Sequence, residues 1–225
     1  MKVKFYSELT YVLGLILLPF GAALMTMADF GVSMIVAPAY ILHLKVSESF
    51  GFFTFGVAEY TLQAVLLMIT VAILRKFRIS YLLSFVTAFL YGMFLDVYLA
   101  LLGNICWDDL YLRIAAYVMG IGFTAVGVAL FFRTYISPEV YELFVKEVSA
   151  KYRVPLGKFK TFYDCGSLVV SVIFSFAFFG FGSFVGIGWG TLICALINGK
   201  LIGLTDKFLG ERFEFCDRFK WRKYF

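Results

Sequence analysis

The chain of 225 residues has little of what builds metal sites, disulfide frameworks or soluble surfaces. It contains one histidine, and its four cysteines form no C-x-x-C pair, which argues against a zinc site and a disulfide framework. Only 16% of the residues are charged and 62% are hydrophobic, whereas soluble proteins carry about 25% charged residues. A soluble domain is therefore excluded. A disordered chain is excluded as well, because 20% of the residues are aromatic.

Enzyme motifs are missing too. The sequence has no H-E-x-x-H, no Walker A loop and no G-x-S-x-G. We therefore expect no enzymatic activity, no cofactor and no bound metal. The net charge of +5 does not indicate a nucleic-acid partner, because the basic residues flank apolar runs.

Long apolar runs dominate what is present. Each is long enough to cross about 30 Å of hydrocarbon as a helix. The runs cover residues 9–28, 53–74, 80–102, 111–132, 162–181 and 184–204. They predict an all-α membrane protein with six transmembrane helices. The first run is too long for a signal peptide, so we expect it to be retained.

Basic residues orient these spans. With both termini in the cytoplasm, all of the 20 basic residues except Lys45, Arg113 and Lys200 lie on the inner side, as the positive-inside rule requires. This distribution predicts a multi-pass protein of the cytoplasmic (plasma) membrane. The segment 208–225 is basic and aromatic, so we expect a cytoplasmic tail, either on the anionic inner leaflet or simply solvated.

The two halves of the chain, 1–104 and 105–207, resemble each other within one membrane domain. Ser33 corresponds to Ser137, and Phe55 corresponds to Phe159. The third span of each half carries small residues at a spacing of four, which places them on one packing face. These stripes are Ser84, Ala88 and Gly92, followed by Asp96, and Thr191, Ala195, Gly199 and Gly203.

An odd number of spans per half inverts the second copy. The sequence therefore predicts a 3+3 inverted-topology repeat, with a binding site at the repeat interface near mid-membrane. A short re-entrant or interfacial helix is expected after the first span of each half, with Ser33 and Ser137 as N-caps. Their N-termini either face a shared cavity and favour an anionic group, or the helices are connectors at the interfaces.

Charged residues inside the spans are candidates for binding or coupling. Asp96 is the preferred one, because it lies on the small-residue stripe; the alternative is a structural hydrogen bond. Glu59 and Asp164 are either coupling groups or helix-start acids, and Lys200 is either functional or extends to the headgroups. Gly188, Gly190 and Thr191, in the densest glycine stretch, either line a site or form a tight turn.

Several short motifs carry a family resemblance: G31-V-S, G92-M-F-L-D96, G186-I-G-W-G-T191 and A195-L-I-N-G199-K-L-I-G203. They resemble the YczE/YyaS/YitT-like group of bacterial membrane proteins, over about residues 10–205. That resemblance implies a bacterial membrane protein and transport, without a substrate. The group's Pro-x-Asp is not kept, since the chain reads Met34-Ile35-Val36 in one half and has Val140 after Pro138 in the other.

Two functional hypotheses follow from these patterns. The first is a transporter or channel for an unknown small solute, with a proton coupled through Asp96 or Glu59. The alternative is a non-transporting subunit that binds solute or assembles with a partner membrane complex. Beyond the lipid bilayer and the solute, we expect either a homodimer or such a partner complex.

Overall fold

The computed structural model describes residues 3–219, which form eight helices and two short strands. Their bounds are β1 Val3–Tyr6, α1 Ser7–Ala28, α2 Ala37–Ser47, α3 Phe55–Leu74, α4 Ile79–Leu102, α5 Leu110–Phe132, α6 Val140–Tyr152, α7 Leu156–Phe179, α8 Trp189–Arg212 and β2 Phe213–Cys216. The helices confirm an α-helical membrane protein, although the two strands were not predicted.

Five of the described helices, α1, α3, α4, α5 and α7, are long and apolar enough to cross a membrane, judged by length and composition. Their outer surfaces expose large apolar side chains such as Met68, Val97 and Val169, as a lipid-facing surface does. The sixth predicted span lies on α8, which has 24 residues but is not among the five. It begins and ends later than the predicted 184–204.

Helices α1 and α5 form the buried centre of the bundle and run antiparallel. Arg113, at the start of α5, donates from Nε to the carbonyl oxygen of Ala28 at the end of α1, at 2.8 Å. Tyr135, just after α5, donates its hydroxyl to Glu8 at the start of α1, at 2.9 Å. The ends of the two helices are thereby tied together at both surfaces.

Glycines allow the backbones of α1 and α5 to approach each other closely, and each glycine of a facing pair lies against the backbone of the other. A Cβ atom at Gly21 would lie 2.7 Å from the carbonyl oxygen of Gly120, and one at Gly120 would lie 2.8 Å from that of Gly21. About two helical turns nearer the start of α1, a Cβ atom at Gly14 would lie 3.2 Å from the carbonyl oxygen of Gly127. Larger residues at these positions would separate the two backbones.

The short helices α2 and α6 both lie between α3 and α7 and contact each of them. Their starts differ from the prediction. The N-cap of α2 is Val36, three residues after Ser33, and the N-cap of α6 is Glu139, two residues after Ser137. Neither N-cap side chain accepts a capping hydrogen bond, so the two serines are not side-chain caps. At α6 a neighbouring helix supplies an acceptor instead, whereas at α2 the backbone N–H groups of Val36 and Ala37 donate to the carbonyl oxygen of Ser33.

The ends of the described chain lie side by side. Strand β1 precedes α1, β2 follows α8, and the two strands pair in parallel, with Val3 opposite Phe213 and Tyr6 opposite Cys216. The first part of the predicted tail 208–225 is thus the last turn of α8 and a strand. Residues 220–225 of that tail lie outside the described residues.

The small-residue stripes pack in part as predicted. Ser84, Ala88 and Ala195 are buried, and a Cβ atom at Gly92 would lie 2.8 Å from the carbonyl oxygen of Gly56 on α3. On α8, a Cβ atom at Gly199 would lie 2.9 Å from the hydroxyl of Thr161. Gly203 is a correction to the prediction: it is exposed, and a Cβ atom there would meet nothing within 4 Å.

Candidate functional site

Polar side chains of α3 meet the start of α6 inside the bundle. Glu59 and Gln63 are fully buried and lie one helical turn apart on α3. The amide oxygen of Gln63 accepts the backbone N–H of Val140 at 2.9 Å, and its amide nitrogen donates to Glu139 at 3.2 Å. The hydroxyl of Tyr141 donates to Glu59 at 2.9 Å. Helix α6 is therefore capped from a neighbouring helix.

The matching contact at α2 comes from α7. The hydroxyl of Ser167 donates to the carbonyl oxygen of Met34, just before α2, at 2.7 Å. In the sequence repeat, Ser33 corresponds to Ser137 and Phe55 to Phe159, so Ser167 corresponds to Gln63. Each short helix is thus held near its start by a polar side chain of a neighbouring helix, although the two contacts involve different backbone groups.

A buried ion-pair network connects α6 to α7. Lys160 lies 2.9 Å from a carboxylate oxygen of Glu142 and 3.3 Å from one of Asp164. All three side chains are almost completely buried. Two acids share one base here, and Glu59 and Glu139 add two more buried carboxyl groups nearby. Burial, together with the carboxyl groups of Glu142 and Glu59, raises the pKa of Glu139 well above its ordinary range.

A small cavity of about 20 Å³ lies between the starts of the two short helices. Its wall combines residues of both halves. The residues are Leu18, Ala22, Ser33, Ile35, Val36, Tyr91, Thr124, Val128, Glu139, Glu142 and Asn198. Two carboxylates, an amide and three hydroxyl groups therefore surround a space of about one water molecule.

A wider groove opens beside this cavity, between α3 and α7. It has a volume of about 420 Å³ and is lined almost entirely by apolar and aromatic side chains, including Leu66, Phe144, Phe159 and Phe174. Tyr141 lines the groove while its hydroxyl binds the buried Glu59. This tyrosine therefore separates the apolar groove from the polar centre.

The predicted site residues separate into several places. Glu59, Asp164 and Ser33 lie at the polar centre, and Ser33 lines the cavity. Ser137 lies near it, where its carbonyl oxygen accepts the hydroxyl of Thr87 at 3.1 Å. Lys200 is exposed on α8, away from this centre.

Asp96, the preferred coupling candidate, caps α3 instead of lining the cavity. Its two carboxylate oxygens accept the hydroxyl of Thr54 at 2.7 Å and the backbone N–H of Gly56 at 2.9 Å. A carboxylate at a helix N-terminus satisfies free N–H groups and interacts favourably with the helix dipole. These contacts match the structural alternative for this residue.

The glycine stretch before α8 binds the segment that follows α1. Gly190 donates its N–H to the carbonyl oxygen of Phe30 at 2.8 Å. The hydroxyl of Thr191 donates to the carbonyl oxygen of Val32, also at 2.8 Å. Gly188 is the N-cap of α8 and leaves no room for a Cβ atom beside Phe30. These residues therefore lock two loops together, next to a shallow surface depression rather than at the polar centre.

Sequence reasoning did not select Gln63, Glu139, Glu142, Lys160 or Asn198. The sequence spacing of some of these residues does indicate that they lie close together. Glu139 and Glu142 are three residues apart, and Lys160 and Asp164 are four apart, so each pair shares a helix face. The sequence does not, however, indicate that α6 enters the bundle, because its charged residues are typical of a surface helix.

The described residues include no group of three or more His, Cys, Asp and Glu side chains that could hold a metal ion. The long apolar helices, their apolar outer surface and the buried polar centre define an α-helical membrane protein. Within that class, residues 5–207 match the model of a family of unknown function, DUF6198, and the chain belongs to this family. Neither the curated proteins nor the solved structures gave a match.

Proposed function

We propose that the protein is a membrane transporter for a small solute, which binds where the two halves of the chain meet. The observation that carries this proposal is the buried polar centre. Four carboxyl groups and one lysine lie among apolar helices, at the starts of two short helices. Burying such groups is costly, and inside membranes they mark ion and substrate pathways.

The proposed architecture is six spans in a 3+3 inverted repeat. Reciprocal glycine contacts between the antiparallel α1 and α5 support it, since a two-fold axis between the halves would produce them. The paired strands β1 and β2 support α8 as the sixth span. Because both ends of the described chain lie together, an even number of crossings is favoured, which supports a sixth span beside the five.

The proposed location is the cytoplasmic membrane, with both termini in the cytoplasm, as the distribution of basic residues favours. The resemblance to the YczE/YyaS/YitT-like group agrees with this location and names no solute. We propose no enzymatic role, and as partners only lipid, the solute, and a second copy or a membrane complex.

Proton coupling in this proposal runs through Glu59. It is fully buried, and one of its carboxylate oxygens has no hydrogen-bond partner among the described residues. The other ionisable groups around it at the centre are Tyr91, Tyr141, Tyr163, Glu139, Glu142, Asp164 and Lys160. Asp96 is not part of this route, because Thr54 and Gly56 occupy its oxygens.

The test uses liposomes that contain this protein alone and a pH-sensitive dye. Solutes are first chosen by screening a metabolite library for compounds that raise the unfolding temperature of the purified protein. We expect at least one of them to drive proton movement across the liposome membrane. Glu59→Gln should abolish that movement, whereas Asp96→Asn should retain it.

Two outcomes would contradict the proposal. Equal proton movement with Glu59→Gln would remove Glu59 from the coupling route. Binding without any flux would favour the alternative, a solute-binding subunit that depends on a partner complex.

A further inference from the structure

The polar side chains on the wall of the central cavity are unusually well shielded. They come from five different elements or their flanking segments, and each is at most 5% exposed. They are Ser33, Tyr91, Thr124, Glu139, Glu142 and Asn198. Oxygen atoms of hydroxyl, amide and carboxyl groups are the ligands that alkali and alkaline-earth cations prefer.

Unused hydrogen-bonding capacity remains at this wall. The amide oxygen of Asn198 and one carboxylate oxygen of Glu142 are buried and have no hydrogen-bond partner in the described part of the chain. The Asn198 side chain is 1% exposed, and it lies on α8 and lines the cavity together with residues of α6. A buried acceptor without a partner costs free energy, so a ligand with positive charge would stabilise it.

The balance of charges around the cavity also favours a cation. Lys160 serves Glu142 and Asp164 together, so this network has one negative charge in excess when all three groups are ionised. Glu139 adds a second acid, and its side chain accepts a hydrogen bond from the neutral amide of Gln63. Among the described residues, no basic side chain lines the cavity.

The size of the cavity and the number of its carboxylates select the kind of cation. A volume of about 20 Å³ accommodates one small ion without its hydration shell. Of the two carboxylates on the wall, Glu142 is already paired with Lys160. Mg²⁺ keeps several water molecules and Ca²⁺ takes six or more oxygen ligands. The site therefore suits one monovalent ion of the size of Na⁺.

We propose that the cavity between the starts of α2 and α6 binds a single dehydrated Na⁺ ion in exchange for the proton of Glu139, with the resulting carboxylate supplying the charge and Asn198 a further oxygen ligand. This inference concerns the site of the proposed function and names its ion. Binding is a property of the folded chain and is measurable whether or not a solute is transported.

The test measures the unfolding temperature of the full-length protein in detergent. NaCl replaces choline chloride at constant ionic strength, and KCl serves as the size control. We expect Na⁺ to raise the unfolding temperature saturably, because an ion that binds only the native state stabilises it with concentration. Choline should have no effect, and K⁺ should act at least about 10-fold more weakly.

Variants locate the effect. Asn198→Ala should raise the Na⁺ concentration for half-maximal stabilisation by about 10-fold or more, as expected when a ligand oxygen is lost. Asn198→Asp retains an oxygen and should keep Na⁺ binding. Asn104→Ala is the matched control, since Asn104 is exposed in a loop and should leave the titration unchanged. The readout is the Na⁺ dependence, so a general loss of stability does not imitate it.

An unchanged Na⁺ titration in Asn198→Ala would overturn the proposal. Equal stabilisation by choline would overturn it too, and so would a response to pH with none to Na⁺. Liposome flux separates this inference from the proposed function. Na⁺ binding without flux of any solute would support the ion site and refute transport. Flux of a solute without Na⁺ dependence would support transport and refute the ion site.

Discussion

At corresponding positions of the repeat, the first half places Leu18, Ile35 and Tyr91 on the central cavity, whereas the second half places Thr124, Glu139 and Asn198 there. The correspondence follows the glycines of α1 and α5, the serines before the short helices, and the stripes of α4 and α8. Corresponding sequence positions therefore differ in chemistry at the cavity wall. Both carboxylates and the amide of that wall come from the second half, whereas Glu59 and Gln63 of the first half belong to the surrounding polar network.

The starts of the two short helices differ in the same way. At α6, the side chains of Gln63, Tyr141 and Glu142 hold buried polar contacts with other helices. Among the described residues, the one corresponding side-chain contact at α2 is the hydrogen bond that the hydroxyl of Ser167 donates to the carbonyl oxygen of Met34. The starts of the two short helices thus carry different polar contacts although their sequences align.

The largest expected effect tests the charged network of the second half. Lys160→Met leaves Glu142 and Asp164 buried without their base, and we expect a loss of about 3–5 kcal/mol in unfolding free energy. Lys200→Met, on the exposed surface of α8, should change it by less than about 0.5 kcal/mol. Denaturant unfolding in detergent measures both. Equal effects would mean that the network is not buried as described.

The next effect tests the similarity of the two backbones. Gly21→Ala and Gly120→Ala should each cost about 1–3 kcal/mol, because the added methyl group meets the backbone of the opposite helix. The two losses should be similar, since the contact is reciprocal. Gly122→Ala, on the open side of α5, has nothing within 4 Å and serves as control. A large loss in only one of the pair would contradict the reciprocal arrangement.

A third comparison concerns two buried amides, one from each half. Gln63→Leu removes two hydrogen bonds and leaves their partners buried, so we expect a loss of about 1–3 kcal/mol. Asn198→Leu removes an amide whose oxygen has no partner, so in Na⁺-free choline buffer it should cost less than about 1 kcal/mol. Thermal unfolding of both variants decides. A larger loss for Asn198→Leu would assign that side chain a structural role.

The smallest effect compares Asp96 with Gly203, its counterpart on α8. Asp96→Ala leaves the N-cap Thr54 in place but removes the carboxylate that accepts the N–H of Gly56 in the first turn of α3, and it should cost about 1 kcal/mol. Gly203→Ala adds a methyl group in open space and should be neutral or stabilise by up to about 1 kcal/mol. Unfolding temperatures in the same detergent suffice here. If both substitutions were neutral, Asp96 would not be an effective cap.

The sequence by itself determined the membrane class, because repeated apolar runs of about 20 residues or more are typical of transmembrane helices. It also located five of the apolar helices to within a few residues, except at the start of α7. Both short helices were located from the sequence as well. Glu59 and Asp164 could be selected because a charged residue inside an apolar run stands out.

Only the tertiary structure decided which polar groups meet. Asn198 and Glu139 are far apart in sequence, and neither stands out there, because Asn198 is uncharged and Glu139 begins a helix with the charge pattern of a surface helix. Burial made them notable, because α6 enters the bundle between α3 and α7. The tertiary structure likewise places Asp96 at the N-terminus of α3 and not at the expected site. Hydropathy acts on each segment separately, whereas a binding site depends on contacts between segments that the local sequence does not encode.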